Sequence, residues 1–411
     1  MNRMCTVCIT LACLLVANGA YSEDVLQFRG ANRDGKYTDT GLLKAWPEGG
    51  PALAWTAMGI GAGYSTATVV GDTIYVTGMV EEEEGILYAL NLDGSHKWQL
   101  GYGKESTNKQ APGTRGTLTV EGDYGYLISG IGGITCFNLK EQSIVWQVDM
   151  MERFDGKMVI WQISESPLIV GDNLICTPGG SDASLAALNK LTGETVWTTK
   201  GFSDPSGYCS PNLINHNGHP IIITMTALYV VGVNADDGTV LWKREQKTAY
   251  GIHASTPAYA DGLVFFTAGD GTGGGVLQLS EDGASITELW YNTDLDVYHG
   301  GFVLHEGYLY GSSSKTSKFF TCLEFKTGKL MWQAEEITDG VTVFADGMLY
   351  TYEGPKAGVV NLIKASPDGF ERTGTFSLTD GIDKHWAHPT IANGKMYIRN
   401  GEQLFAYAVP E

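Results

Sequence analysis

The amino-acid sequence predicts an all-β protein built from one repeated unit of four antiparallel strands. The first observation is compositional: 54 Gly, 20 Tyr and 10 Trp occur in 411 residues of which only 18% are charged. Such a composition is typical of short strands joined by tight turns. The second observation is periodic, because tryptophans recur at positions 55, 98, 146, 197, 242, 290 and 332. This spacing fits one unit of four short strands and their turns.

The clearest copy of the repeat runs from Ser65 to Trp98. A short strand precedes the turn Gly71-Asp72, two further strands follow, and Asp93-Gly94 turns the chain towards Trp98. The same order of strands and turns recurs in five further segments, of which the first is degenerate: 114–146, 164–197, 209–242, 253–290 and 299–332. We expect each closing tryptophan to pack between neighbouring units.

Two more copies complete the series. The seventh carries the turns Asp346-Gly347 and Asp368-Gly369, and Phe376 is predicted to take its tryptophan position. The eighth, near Trp386, ends after its third strand, and the segment around Trp55 can supply the fourth. The sequence therefore predicts an eight-bladed β-propeller over residues 53–411, closed by an N-terminal strand near Trp55. Because closure leaves few free strand edges, we expect a monomer.

The N-terminal residues predict export. Arg3, an apolar stretch from Met4 to Val16 and small residues up to Ala20 form the pattern of a signal peptide, residues 1–20, with cleavage near Ala20. The residues around Cys13 fit a lipoprotein signal poorly, so a lipid anchor is the less favoured interpretation. Residues 21–52 are predicted to be a loop-rich extension outside the blades, packed against one face.

Charge and hydropathy exclude several classes of protein. The net charge is −19, with 27 Lys and Arg against 46 Asp and Glu. This balance argues against binding of nucleic acid or anionic lipid, since both need a positive surface. No apolar stretch after the signal is long enough to span a membrane. The expected partners are a glycan, a small molecule or another exported or envelope protein.

The turn-then-tryptophan motifs carry a family resemblance. The segments 192–197, 237–242 and 327–332 resemble the tryptophan-docking repeats of the pyrroloquinoline quinone (PQQ)-like, or quinoprotein alcohol dehydrogenase-like, eight-bladed propellers. The family includes PQQ alcohol dehydrogenases and a non-catalytic assembly factor of the outer membrane, and the resemblance is to the non-dehydrogenase branch. Residues 27–35 also resemble the leader that precedes the propeller in other PQQ-like repeat proteins.

The resemblance implies a test for the quinone cofactor. The family's dehydrogenases carry a vicinal pair of cysteines beside PQQ, and Glu, Asn and Asp ligands for calcium. After the signal this chain keeps only Cys136, Cys176, Cys209 and Cys322, none beside another. We therefore expect neither PQQ nor a disulfide, and interpret these cysteines as small buried thiols.

Candidate ligand-binding residues follow from the repeat. The starts of the inner strands of a propeller ring the central channel, so residues there converge although they are distant in sequence. Counting back from each first turn, and including near neighbours, gives the rim candidates Tyr64, Arg115, Glu165, Tyr208, His253, His299, His385, Trp386 and His388, with Ser164, Tyr298 and Asp339 beside them.

Two functions fit such a rim. As a binding or scaffold module, the protein would engage a glycan or protein through the rim and the long connection 147–163. Aromatic side chains would offer faces to sugar rings, and Arg115 would hold a carboxylate. As an enzyme, it would act on a carbohydrate or alcohol in the central funnel, as a metal-assisted lyase or hydrolase or as a quinoprotein-type oxidoreductase. A divalent metal, Mn²⁺ or Zn²⁺, would be held by His253, His299 and His388.

Overall fold

The computed structural model describes residues 23–313, 318–337, 339–354, 358–378, 381 and 384–411. These residues form eight antiparallel sheets of four strands, one of which gains a fifth strand from the N-terminal segment. The predicted fold class, an all-β eight-bladed propeller, is confirmed. The predicted signal peptide lies outside the described residues. None of the helices in the described ranges has the length and apolarity to cross a membrane.

The N-terminal segment contributes β1 (Lys36–Tyr37) and β2 (Leu53–Met58). The strands of each blade are given from inner to outer. Blade 1 consists of β3 (Thr68–Val70), β4 (Thr73–Met79), β5 (Glu84–Asn91) and β6 (His96–Lys104), and blade 2 of β7 (Thr119–Glu121), β8 (Tyr124–Ile128), β9 (Gly133–Asn138) and β10 (Ser143–Asp149). Blade 3 consists of β11 (Leu168–Val170), β12 (Asn173–Cys176), β13 (Ala186–Asn189) and β14 (Thr195–Thr198), and blade 4 of β15 (Asn212–His216), β16 (His219–Met225), β17 (Tyr229–Asn234) and β18 (Val240–Glu245).

Blades 5 to 8 continue the same order. Blade 5 consists of β19 (Ala258–Ala260), β20 (Leu263–Ala268), β21 (Gly273–Leu279) and β22 (Ile286–Asn292), and blade 6 of β23 (Phe302–His305), β24 (Tyr308–Ser312), β25 (Phe320–Glu324) and β26 (Leu330–Ala334). Blade 7 consists of β27 (Gly340–Ala345), β28 (Met348–Glu353), β29 (Val359–Lys364) and β30 (Arg372–Ser377). Blade 8 contains β31 (Thr390–Ala392), β32 (Lys395–Asn400) and β33 (Gln403–Ala408). The described helices are a 3₁₀ turn at Glu81–Glu83 and α1 at Met150–Arg153.

Blade 8 is closed by the N-terminal strand, as predicted. Strand β2 pairs antiparallel with β33, in a register that places Leu53 opposite Tyr407 and Met58 opposite Gln403. Blade 8 therefore takes its outer strand from one end of the chain and its three inner strands from the other. This pairing joins the ring without a covalent link and covers the edge that β33 would otherwise expose.

The outer tryptophans pack between blades, as the repeat predicts. The indole of Trp146 donates a hydrogen bond to the carbonyl of Lys190 in blade 3, at 3.0 Å. Its ring lies against Gly193, where a Cβ atom would come within 2.8 Å of the indole. Gly193 also has a φ of 72°, a conformation that favours glycine. The turn glycine thus serves both the turn and the docking of the preceding blade's tryptophan.

Blade 7 departs from the predicted pattern. In the other blades the tryptophan stands just after a bulge in the outer strand; Trp332, for example, faces Cys322. The corresponding residue of blade 7 is Gly374, not the predicted Phe376. Trp46 of the extension lies over Gly374, where a Cβ would come within 2.7 Å of the Trp46 side chain. The prediction counted forward from the turn with the seven-residue spacing of blade 5, from Gly283 to Trp290, whereas Gly374 lies five residues after Gly369.

The hydrophobic core is divided among the blade interfaces. One cluster joins blades 1 and 2 through Leu87 and Phe137, and another joins blades 3 and 4 through Ile175 and Ile222. The four cysteines of the described residues are buried and free, in agreement with the sequence prediction. Each blade is therefore stabilised mainly by its two neighbours.

Residues 23–37, which we call the channel segment, fill one end of the central channel. The sequence predicted a stretch outside the blades, but β1 pairs parallel with β27 of blade 7, and Val25 forms a bridge with Val69 of blade 1. Gly71, in a first turn, donates a backbone hydrogen bond to Asp24. The channel segment therefore enters from the face that carries these turns, opposite the rim.

Two buried arginines of the channel segment tie the blades together. Arg33 donates to the carbonyls of Ser166, Pro167 and Pro211, and so contacts blades 3 and 4 at once. Arg29 donates to the carbonyl of Phe302 at 2.6 Å, and to that of Thr342, in blades 6 and 7. Both guanidinium groups satisfy carbonyls that face the channel axis, where no neighbouring strand can reach them.

Candidate functional site

The rim end of the channel holds a pocket of about 320 Å³. Its floor is Phe28 of the channel segment, so the channel is closed below it. The pocket is lined by eight residues that the sequence repeat predicted at or beside the rim: Tyr64, Arg115, Ser164, Tyr208, Tyr298, His299, Trp386 and His388. They come from the segments that precede the inner strands of six blades. The structure therefore brings together side chains that lie more than 300 residues apart.

Aromatic rings form one wall of the pocket. Tyr64 lies 5.4 Å from Trp386 between ring centroids, and His299 stacks on Trp386 at 5.3 Å. Tyr298 meets His299 edge-on at 4.7 Å. Gly269 permits this packing, since a Cβ there would come within 2.7 Å of Tyr298. The wall is rigid because each ring is held by the next one.

His299 is oriented by a carboxylate. Its Nδ1 lies 3.1 Å from Oδ1 of Asp339, which is 5% exposed. With the proton on Nδ1, this contact leaves Nε2 as the basic nitrogen. The pair has the arrangement of an oriented histidine that can accept a proton from a bound hydroxyl group.

Arg115 is anchored by two rim loops. One terminal nitrogen of its guanidinium donates to the carbonyl of Trp161, and the other donates to that of Ala111 at 2.7 Å. Burial lowers the pKa of Arg115, and nearby Glu105 opposes that change. Arg115 thus holds two rim loops in place, while its positive charge still faces the pocket.

Three rim candidates lie outside the pocket lining. Glu165 is fully buried and accepts hydrogen bonds from the backbone and hydroxyl groups of Thr177. His253 is also fully buried, and burial lowers its pKa to about 4. His385 lies between blades 7 and 8, where its Nδ1 contacts the Tyr352 hydroxyl at 2.5 Å. These three side chains serve blade packing in the structure.

The predicted metal ligands do not form one site, because His299 and His388 line the pocket but His253 lies outside its lining. No group of three or more His, Cys, Asp or Glu in the described ranges is placed to hold a metal ion. Nδ1 of His388 lies 2.8 Å from the guanidinium of Arg29, and its Nε2 faces the carbonyl of His299. Burial and the charge of Arg29 both lower the pKa of His388. A cation cannot share a nitrogen that already accepts a hydrogen bond from a guanidinium.

The residues near the pocket also do not fit the quinone site that the resemblance describes. The vicinal disulfide has no counterpart among the four described cysteines, all of which are free. Asp339, a carboxylate beside the aromatic wall, is engaged by His299.

Sequence reasoning missed half of the lining. The missed residues are Phe28, Asn108, Gln110, Ala111, Trp161, Ser210, Ile252 and Ala254. Asn108 and Trp161 belong to long inter-blade loops, which the repeat does not align. Phe28 belongs to the extension, and its packing edge-on against His388 at 4.9 Å depends on contacts remote in sequence. Phe28 and Trp161 were the available signals, since each is an aromatic residue in an irregular stretch and Trp161 lies in the connection 147–163; the loop around Asn108 holds no aromatic residue.

Fold and pocket together define the class of protein: an eight-bladed PQQ-like β-propeller with a closed central channel and an aromatic pocket at its rim. More narrowly, residues 83–334 match the family described as "Outer membrane protein assembly factor BamB". This match spans more than half of the chain, and the chain belongs to that family. The resemblance stated from the tryptophan repeats is thereby confirmed. No curated protein sequence matches the chain.

Solved structures share the fold at low sequence identity. BamB from Moraxella catarrhalis is 13% identical, with a TM-score of 0.63, over 87% of this chain and 99% of that chain. A europium-containing methanol dehydrogenase is 12% identical, with a TM-score of 0.70, over 94% and 98%. The quinohemoprotein alcohol dehydrogenase from Comamonas testosteroni is 12% identical, with a TM-score of 0.69, over 96% and 81%. At such identities the likeness concerns the fold alone.

Proposed function

We propose that the protein is an exported binding module whose central pocket takes one sugar unit, or a short segment, of a glycan. The observation that carries this proposal is the pocket itself, with a closed floor, an aromatic wall and a volume of about 320 Å³. That volume lies at the lower end of the range for small-ligand sites. Export is supported by the N-terminal sequence pattern and by membership of a family described as an outer membrane assembly factor.

The lining suits a sugar because it combines two chemistries. Tyr64, Tyr208 and Trp386 offer apolar surface to the C–H faces of a ring. Asn108 and Gln110 supply amide groups that can both donate and accept hydrogen bonds with hydroxyl groups. The closed floor limits the ligand to one end or one unit of a longer chain.

The experiment is a calorimetric titration of the mature protein with a panel of oligosaccharides. We expect saturable binding that Trp386→Leu weakens roughly tenfold, since an aromatic contact contributes about 1 kcal/mol or more. Trp98→Leu is the matched control, because Trp98 stands on the outer strand of blade 1 and does not line the pocket. Unfolding curves of both variants verify that the ring is intact.

Two results would contradict this proposal. Absence of binding to every oligosaccharide would remove the glycan ligand, and equal weakening by both substitutions would place the ligand elsewhere. Product analysis after long incubation separates binding from turnover, since His299 and Asp339 form a pair able to accept a proton. An unchanged oligosaccharide is the outcome expected for a binding module.

A protein partner is the second candidate ligand. It is favoured by the family description and by two apolar side chains near the pocket mouth, Met158 and Ile160, which are 44% and 60% exposed. The sequence pointed to the connection 147–163 for this role, although Met150 of that segment is buried. A photo-crosslinking amino acid at position 160 should capture an envelope protein, whereas one at Leu191, also exposed but in a turn of blade 3, should not.

A further inference from the structure

The pocket differs in charge from the rest of the molecule. The chain carries a net charge of −19 and only 27 Lys and Arg. Yet the described residues that line the pocket include Arg115 and not one Asp or Glu. Arg29 lies directly beneath the floor, with its guanidinium against His388. The amino group of Lys384 lies 5.1 Å from the ring centroid of Trp386.

Two carboxylates close to the pocket already make contacts with other groups. Asp339 contacts His299. Glu105 accepts hydrogen bonds from the Tyr102 hydroxyl at 2.7 Å and from the backbone N–H of Ser106 and Gly130. Burial raises the pKa of Glu105. Neither Asp339 nor Glu105 is among the described residues that line the cavity.

The two cations at the rim act on each other. Burial lowers the pKa of Lys384, and the positive charge of Arg115 lowers it further. In the described part of the chain, neither side chain lies within ion-pair distance of a carboxylate; Asp380 and Asp383 are outside that part. Two like charges at an apolar wall repel, and an anion placed between them relieves that repulsion. A positively charged cleft also concentrates anionic ligands near an otherwise acidic molecule.

We propose that the preferred ligand is an acidic sugar, a hexuronic acid unit, with its ring in the aromatic pocket and its carboxylate directed towards Arg115 and Lys384. This inference rests on the proposed function, because it specifies which glycan the pocket takes. It assigns specificity to Lys384, which lies just outside the lining. The guanidinium of Arg115, already anchored to two carbonyls, serves as a fixed positive charge.

The test compares two oligosaccharides that differ only at C6, a cello-oligosaccharide and the same chain with C6 oxidised to the carboxylate. At low ionic strength and pH 7.5 we expect the uronate to bind at least about tenfold more tightly, since a charge-assisted hydrogen bond contributes roughly 1.5–3 kcal/mol. Raising NaCl from 20 to 500 mM should reduce this preference, because salt screens partly exposed charges.

Substitution of Lys384 tests whether this residue determines the preference for the uronate. Lys384→Gln should lower the uronate-to-neutral affinity ratio about tenfold. Lys140→Gln is the matched control, because Lys140 lies in the turn between β9 and β10 at the opposite face and is exposed, and it should leave the ratio unchanged.

The outcomes separate this inference from the proposed function. Equal binding of both oligosaccharides, or a ratio that Lys384→Gln does not change, would overturn the acidic-sugar assignment and leave the glycan pocket standing. Tighter binding of a planar aromatic carboxylate than of the uronate would also overturn it. If neither oligosaccharide nor any other glycan binds, the proposed function is overturned, and this inference with it.

Discussion

At the scale of single residues, burial decides what chemically similar side chains do. His253 and His299 hold the same place in the repeat, seven or eight residues before a first turn. His253 is enclosed within the protein and burial lowers its pKa to about 4, whereas His299 lines the pocket against Asp339. A difference of one residue in strand register is enough to turn a side chain from one face to the other.

Glu165 gives a prediction about pH. Burial raises its pKa to about 7, and the nearby Arg33 and Thr177 limit the rise. Because the folded protein holds this proton more tightly than the unfolded chain, its contribution is greatest below pH 4.5 and is lost as pH rises to 7. Glu165→Gln cannot ionise, so relative to the native protein it should gain up to roughly 3 kcal/mol between pH 5 and pH 8. Denaturant unfolding at several pH values measures this difference.

The comparison between variant and native protein is needed because other groups titrate in the same range. His253 and His388 have lowered pKa values, so both proteins should gain stability from them as pH rises towards 6.5. A difference between the two proteins that stays constant from pH 5 to pH 8 would show that Glu165 has an ordinary pKa.

At the scale of the element, the turn between the third and fourth strands is the most constrained part of a blade. At Gly193 both the positive φ and the indole of Trp146 exclude a side chain. Gly171, in the first turn of the same blade, has a φ of 56° but open space around it. Substitutions at these two glycines therefore separate the free-energy cost of backbone strain from that of disturbed packing.

Gly171→Ala should cost about 1 kcal/mol of stability, the strain of a left-handed residue. Gly193→Ala should cost about 2 kcal/mol more, since the methyl group must displace a docked indole. Denaturant midpoints with unchanged m-values give both numbers. Equal losses at the two positions would mean that docking on Gly193 does not stabilise the interface.

The sequence predicted these elements well because they repeat. Blades, turns, docking tryptophans and the strand around Trp55 all follow from spacing and residue type, since each unit obeys the same packing rules. The repeat also located Tyr64, Tyr208 and Trp386 at one rim. It could not assign Phe28 or Trp161, because their positions depend on non-repeating loops and on contacts between distant parts of the chain. Phe376 was misassigned for a local reason, because the spacing from the turn to the outer position is shorter in blade 7 than in blade 5.

At the scale of the whole molecule, the channel segment links blades that do not touch one another. Arg33 bonds blades 3 and 4 and also lies near Thr119 of blade 2, while Arg29 bonds blades 6 and 7. Each blade otherwise packs on its two neighbours. These long-range contacts make the ring one cooperative unit instead of a chain of independent interfaces.

Arg33→Met should therefore destabilise the whole ring. The substitution leaves the channel-facing carbonyls of Ser166 and Pro211 without their arginine donor, while the Pro167 carbonyl keeps only the Thr119 hydroxyl. We expect a loss of about 3 kcal/mol or more. Lys36→Met is the control on the same segment, because Lys36 is partly exposed and pairs with Asp34, and it should cost less than about 1 kcal/mol. Thermal and denaturant unfolding measure both, and equal losses would show that Arg33 does not hold the blades together.

The closure of blade 8 also sets the order of events in folding. Strand β2 is synthesised before every blade, yet its partner β33 is the last strand of the described chain. The earliest long strand must therefore wait unpaired while seven blades form, and its pairing closes the longest loop in the molecule, at a high entropic cost. During this interval the open edge is a template for pairing with other chains. The nascent protein is thus most vulnerable to aggregation immediately before the final strand emerges.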